Sequence, residues 1–168
     1  MIRSADGDDA DAIRAIYEPI VRHTAISFEI DPPTVESIAQ RISDSRAWLV
    51  CVRDEEVAGY AYAAPFHPRP AYRWSVEVSV YIAEAHRGTG VATALTAALL
   101  GELRAQGSVN AFAGIALPNP ASVRLFESFG FERIAVQKSV GFKLGAWHDV
   151  GWWQHRLREA TVPPPRLS

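Results

Sequence analysis

The 168-residue chain has one cysteine, Cys51, which excludes an internal disulfide framework and a cysteine-based zinc cluster. It lies in the apolar run Trp48-Leu49-Val50-Cys51-Val52, where a free thiol ordinarily serves as a small buried hydrophobe. No uninterrupted apolar stretch approaches the ~20 residues of a membrane-spanning helix. The first residues are polar and acidic, unlike the basic-then-apolar pattern of a secretory signal, so the cytoplasm is the expected location. Positive charge is not in excess: 17 Lys and Arg stand against 19 Asp and Glu, a formal net charge of −2. No nucleic-acid partner is therefore expected. No His, Asp and Glu set converges at metal-ligand spacing, so no metal is expected either. Neither familiar nucleotide fingerprint is present, since the chain lacks both Gly-x-Gly-x-x-Gly and Gly-Lys-Ser/Thr. There is no internal repeat.

What is there has the balance of a soluble globular enzyme, 48% hydrophobic and 21% charged, in a chain long enough for one domain with a sizeable core. Ile2-Arg3 reads as a short first strand. Asp6 to Asp11 supply acidic cap residues for a helix through Ile13, Ile16, Tyr17 and Ile20, which Pro19 is expected to distort or end early. A polar-aromatic loop covers 23–33, and a second helix starts near Thr34 with Val35, Ile38 and Ile42 at helical spacing. Residues 48–52 and 57–63 form a hairpin about a charged link. Three prolines between Pro65 and Pro70 predict irregular chain. A β-branched strand, 76–82, then runs into a glycine-bearing loop and a helix in which Leu95, Leu99 and Leu103 recur, with Gly107 placed to end it. A strand over 109–116, a short helix over 121–128, and closing strands over 134–142 and 148–156 complete the domain. The proline-rich residues 161–168 are expected to form a flexible tail. Alternating strands and helices with antiparallel hairpins at both ends indicate a mixed α/β sheet.

The junction after the central strand carries most of the chemistry. Gly88 and Gly90 lie in the loop that opens into the helix from Val91. The first N–H groups of a helix have no internal partner, and the peptide dipoles add partial positive charge there. Glycine lets such backbone approach a phosphate without an intervening Cβ. On spacing alone the loop fits a phosphate cradle and an ordinary tight turn equally well. On the strand, Glu77 alternates with Val76 and Val78 and so projects to the face opposite them. A lone strand glutamate is more often solvated or ion-paired than catalytic. His148, between Trp147 and Asp149, is similarly open between a structural histidine held by its neighbour and a functional one.

The residues Arg87-x-x-Gly90-x-Ala92 resemble the pyrophosphate motif of the GNAT N-acetyltransferases. The segments Ala71 to Glu77, Leu117 to Phe126 and Gly145-Ala146-Trp147-His148-Asp149-Val150-Gly151-Trp152-Trp153-Gln154 resemble, more narrowly, the phosphinothricin and methionine sulfoximine N-acetyltransferases. The resemblance spans nearly the whole chain and implies a single GNAT acyl-CoA N-acyltransferase domain over residues 1–160. It implies acetyl-CoA as cosubstrate. Backbone groups of Val80, Tyr81 and Ile82 would meet its pantetheine arm. Arg87, Gly88, Thr89, Gly90, Val91 and Ala92 would wrap its pyrophosphate, and Asn119 and Ser122 would contact the arm from the next helix. By the same resemblance Glu77 is the general base, and His148 lines the acceptor site or shares the base's task. Phe28, Glu29, Arg69, Tyr72 and Arg73 would contact an amino-acid acceptor, and the protein would be a homodimer.

An α-amine must lose its proton before it can attack a thioester, and a carboxylate is suited to remove it. An arginine fork suits the acceptor's carboxylate, although Arg69 and Arg73 equally fit the decoration of an exposed loop. His67 and Arg73 tilt the resemblance towards methionine sulfoximine or methionine sulfone rather than phosphinothricin. Where many GNAT enzymes carry a tyrosine acid, this chain has Phe126, which leaves the proton donor for the thiolate unassigned. The competing readings are acetylation of a protein lysine or N-terminus, and a non-catalytic acyl-CoA-binding regulator.

Overall fold

The computed structural model describes all 168 residues. Seven strands and four helices follow in the order β1 (Ile2–Ser4), α1 (Ala10–His23), α2 (Val35–Asp44), β2 (Ala47–Arg53), β3 (Glu56–Pro65), β4 (Ser75–Ile82), α3 (Val91–Ala105), β5 (Asn110–Leu117), α4 (Pro120–Ser128), β6 (Glu132–Lys143) and β7 (Ala146–Arg156). One sheet contains every strand, in the spatial order β1-β2-β3-β4-β5-β7-β6. All neighbours are antiparallel except β4 and β5. This is the mixed α/β single domain expected from the sequence.

Alternation along the strands sends side chains to two faces, each covered by helices. On one face Leu49, Ala61, Ala63, Val76 and Val78 pack against Val91, Leu95, Leu99 and Leu103 of α3. On the other, Trp48, Val50 and Tyr60 pack against Ile13, Ile16 and Tyr17 of α1 and Ile38 and Ile42 of α2. Two hairpins close on two-residue turns with positive φ at both positions, Asp54-Glu55 and Leu144-Gly145, a geometry that matches the right-handed strand twist.

One expectation needs correction. Pro19 neither ends nor shortens α1, which runs on to His23. Proline removes the hydrogen bond that Ala15 C=O would accept, but Ala15 and Pro19 both lie on the exposed face, where water satisfies that carbonyl. Between Pro65 and Pro70 the chain is irregular as expected, and a turn of 3₁₀ helix follows over Pro70–Tyr72. Residues 161–168 form no helix or strand, yet they are tied back to the domain. The Trp74 indole N–H donates to Pro165 C=O at 2.8 Å, Ser168 N–H donates to Gln106 C=O at 3.1 Å, and the bare face of Gly107 abuts the Arg166 backbone.

The α3 leucines are the centre of the larger core, with Leu99 1% exposed. Leu99→Ala is expected to lower unfolding stability by about 2–5 kcal/mol, measured by urea denaturation; a loss below ~1 kcal/mol would contradict this packing.

Candidate active site

Strands β4 and β5 pair over three residues only, Ser75 with Asn110, Val76 with Ala111 and Glu77 with Phe112. Beyond that point they part. On its other side β4 stays paired with β3 as far as Ile82, and Ala83 N–H donates to Ala58 C=O. In an antiparallel ladder alternate residues turn both backbone groups to the same neighbour. Ser79 and Tyr81 therefore face β3, while Val78, Val80 and Ile82 turn their N–H and C=O groups into the gap.

A groove of 580 Å³ occupies that gap and its mouth. It brings together Val80, Tyr81, Ile82, Arg87, Gly88, Ala92, Asn119 and Ser122, all anticipated from the sequence. Thr89, Gly90 and Val91 do not line it. The Thr89 hydroxyl instead donates to His86 C=O, Gly90 caps α3 at φ +84 without a side-chain hydrogen bond, and Val91 is fully buried in the core. Gly90 thus leaves the first amides of a 15-residue helix without a capping side chain at the mouth of the groove, which suits a phosphate. Across the gap the Asn119 side-chain oxygen accepts from Ser122 N–H at 3.2 Å, capping α4 and leaving the Asn119 amide NH₂ free to donate. The groove fits an elongated ligand with an anionic end.

A second cavity of 330 Å³ is lined by Ser27, Phe28, Tyr62, Glu77, Ser79, Tyr81, Gln137 and Trp152, among others. A narrow neck lined by Val78 to Tyr81, Gly114 to Ala116 and Asn119 shares residues with both spaces and connects them. Glu77 stands in the second cavity as the sequence pattern predicts. It is half-buried, and burial, with no offsetting charge, pushes its pKa above the ordinary carboxylate value. Phe28 forms part of the wall from the loop between α1 and α2.

Other anticipated acceptor residues lie elsewhere. Glu29 turns away to a bidentate pair with Arg41 on α2, at 2.6 and 3.2 Å; burial raises its pKa, but Arg41 and Tyr17 outweigh this and hold it low. Tyr72 packs against His67 with the rings tilted, centroids 4.7 Å apart. Arg69 and Arg73 line a separate 220 Å³ cavity with Arg46 and His67, and Arg73 lies 4.2 Å over the Trp74 ring. Between these arginines and the Glu77 cavity Phe66 stacks on Phe112 at 4.2 Å and meets Trp152 edge-on. His148 shares a strand face with Val150 and Trp152 but lies further along β7, outside the cavity lining, its ring 6.2 Å from Phe28. Its Nε2 is 3.0 Å from Lys143 C=O. A carbonyl only accepts, so Nε2 carries the proton and Nδ1 is the acceptor in the neutral ring. Asp149 does not hold it, being engaged by Ser139 N–H and the Lys138 ammonium.

Tyr62, Trp152, Gln137 and Ser27 were not anticipated as cavity residues. The Tyr60-x-Tyr62 alternation hinted at an aromatic face, but pairing of Trp152 with Gln137, whose side-chain oxygen accepts the indole N–H at 2.9 Å, depends on strand register.

Residues 2–152 match the family model for the acetyltransferase (GNAT) domain. The chain belongs to the GNAT acetyltransferase family. It is 37% identical to the phosphinothricin N-acetyltransferase of Streptomyces viridochromogenes over 98% of this chain and 91% of that protein. It is 36% identical to the L-methionine sulfoximine/L-methionine sulfone acetyltransferase of Salmonella typhimurium over 96% of this chain and 97% of the relative. Among solved structures, a GNAT superfamily phosphinothricin acetyltransferase from Sinorhizobium meliloti in complex with AcCoA superposes with TM-score 0.93 at 34% identity, covering 98% of this chain and 92% of that one. A ribosomal-protein-alanine N-acetyltransferase from Brucella melitensis superposes with TM-score 0.89 at 36% identity, covering 93% and 99%. This GNAT protein is accordingly an acetyltransferase.

The environment of Glu77 has a thermodynamic consequence. A raised folded-state pKa means that burial penalises the charged form. The penalty is absent below the ordinary glutamate pKa of ~4.3, grows as pH rises through the folded-state value, and is fully present at neutral pH. Glu77→Gln is expected to raise the thermal midpoint at pH 7 and to leave it unchanged below pH 4, followed by scanning fluorimetry. An equal or lower midpoint at pH 7 would show that the carboxylate is stabilised in the fold.

Proposed function

We propose that this GNAT enzyme acetylates the α-amine of a small L-amino-acid analogue of the methionine sulfoximine, methionine sulfone or phosphinothricin type, with Glu77 as general base. The supporting observation is the junction of two spaces at the parting of β4 and β5, with an unpartnered carboxylate in the smaller one. A 330 Å³ cavity is at the small end of ligand sites and suits a single amino acid better than a peptide chain. Aromatic walls at Phe28, Tyr62 and Trp152 suit its aliphatic part. Relatives named for such substrates support the same acceptor class.

In this reading acetyl-CoA lies in the larger groove, its diphosphate at the amides of Gly88 to Ala92 and its arm along Val80 and Ile82, with Asn119 and Ser122 opposite. The bound cosubstrate supplies an electrophilic thioester. The chain's own residues do the rest. Glu77 takes the ammonium proton and frees a lone pair for attack; its raised pKa narrows the gap to the amine and makes it a better base. The inward N–H of Val80 meets the negative charge that grows on the thioester oxygen. A C–N bond forms and the C–S bond breaks; the acylated nitrogen sheds its second proton, and water relays it to the departing thiolate, since Phe126 has no proton to give. His148 acts as a prop for Phe28 rather than as a second base. Arg69 and Arg73 of the same chain are left outside the proposed contacts.

Homodimerisation completes the proposal. Strand β6 is a sheet edge, and Ile134, Val140, Phe142, Leu144 and Trp147 expose 47–64% of their surface along its hairpin. Such an apolar patch beside unpaired strand backbone suits a second copy of the chain. Phe142→Glu with Trp147→Glu is expected to halve the mass measured by light scattering; an unchanged mass would exclude this face.

The Brucella neighbour favours one rival, N-terminal acetylation of a protein. A panel of methionine sulfoximine, methionine sulfone, phosphinothricin and alanine-starting peptides, read by thiol release from acetyl-CoA, separates the two. Amino-acid analogues are expected to lead by at least tenfold in kcat/KM, and faster turnover of the peptides would overturn the proposal. With the best acceptor, Glu77→Gln should lower kcat by about 10²–10⁴-fold and leave acetyl-CoA affinity unchanged in calorimetry.

A further inference from the structure

Lys143 is a buried cation that the proposed chemistry does not use. It is the last residue of β6, only 5% exposed, and desolvation lowers its pKa. Burying an ammonium is costly unless it is partnered. Its hydrogen bond runs across 116 residues of sequence, from Nζ to Ser27 C=O at 2.6 Å. Ser27 is equally buried, and its hydroxyl lies 2.6 Å from the Tyr17 hydroxyl of α1. It also accepts from Glu29 N–H at 3.2 Å. The groups facing the ammonium are thus the Ser27 carbonyl and, at longer range, the Glu29 carboxylate, itself paired with Arg41.

Ser27 and its neighbour Phe28 form the loop wall of the Glu77 cavity. Phe28 seats its ring against Gly141, two residues before Lys143 and on the same strand, where any Cβ would overlap the ring. The Lys143 carbonyl meanwhile accepts from His148 Nε2, and the His148 ring stands next to Phe28. One residue therefore fixes the loop through its side chain and the histidine beside the loop through its backbone.

We propose that Lys143 is a positioning residue of the acceptor site, whose ammonium pins Ser27 and thereby sets Phe28 as the cavity wall opposite β4. The assignment rests on the reading of the Glu77 cavity as the acceptor site, and it predicts a defect confined to that side of the molecule. Without the pin, the α1–α2 loop loses its hydrogen bond to β6, while of the residues lining the acetyl-CoA groove only Ile26 belongs to that loop.

Lys143→Met keeps the apolar stem and deletes the charge and the donors; Lys143→Gln serves if the methionine variant does not fold. Acetyl-CoA affinity within threefold of the wild type certifies the fold. Amide exchange at Ser27 to Glu29 is expected to accelerate at least tenfold with α3 protection unchanged. The acceptor KM is expected to rise at least tenfold, with kcat changed less than threefold. Lys138→Met, which removes an exposed lysine on the same strand, should change neither. Unchanged exchange in the loop, or an equal loss of acceptor and acetyl-CoA affinity, would overturn the assignment. If the wild-type enzyme acetylates none of the amino-acid analogues, the acceptor reading fails on its own, and the exchange comparison still decides whether Lys143 pins the loop.

Discussion

Strands β4 and β5 hold each other for three residues and then separate, and the rest of the site depends on that separation. Continuing the ladder would bury the inward backbone groups of Val78, Val80 and Ile82 in a β4–β5 pairing and leave no space between the faces of the sheet. Separation exposes them as a ready-made strand edge, which would be costly if it stayed buried and unsatisfied. The parting begins after Glu77 and Phe112, while β5 itself runs on to Leu117 paired with β7 before Pro118 and the Asn119 cap open α4. Phe126 of that helix reaches the neck between the two spaces, where a continued pairing would leave it no room.

The same gap explains the division of labour between the faces. The α3 side supplies uncapped helix amides and glycines at positive φ, and hence affinity for an anion. The α1–α2 side supplies tyrosines, tryptophan and a half-buried carboxylate around one cavity. Placing the carboxylate there costs stability, since no cation repays its desolvation, and functional groups are commonly held under such strain. The neck shares residues with the groove on one side and with the Glu77 cavity on the other.

Stability and function draw on different parts of the fold. The α3 leucines and the β2–β4 valines and alanines form a continuous core in which no catalytic group sits. The loop wall of the Glu77 cavity rests instead on polar links converging on Ser27, from Tyr17 and Lys143. Such a wall can vary between relatives without disturbing the core, which is consistent with relatives of similar identity carrying names that differ in their acceptors.

Local sequence determined much of this protein. The hairpin turns, the glycine entry to α3, the leucine spacing along it and the outward parity of Glu77 follow from short-range rules of backbone conformation and alternation, so they were legible without coordinates. The residues that the resemblance names from Val80 to Ala92 lie close together in sequence, and Val80, Tyr81, Ile82, Arg87, Gly88 and Ala92 line the groove while Thr89, Gly90 and Val91 do not. The acceptor side was less legible. Glu29 pairs with Arg41, Arg69 and Arg73 lie beyond the Phe66–Trp152 contact, and His148 stands outside the cavity, while Tyr62, Trp152 and Lys143 take up positions that no motif marked. These placements are set by the register of β5, β6 and β7 and by a loop fixed across 116 residues. Pro19 is a smaller instance, harmless because its freed carbonyl faces water. A side chain's neighbours along the strand are written in the sequence, but its neighbours across the sheet depend on which strands pair and where they part, and only the folded chain decides that.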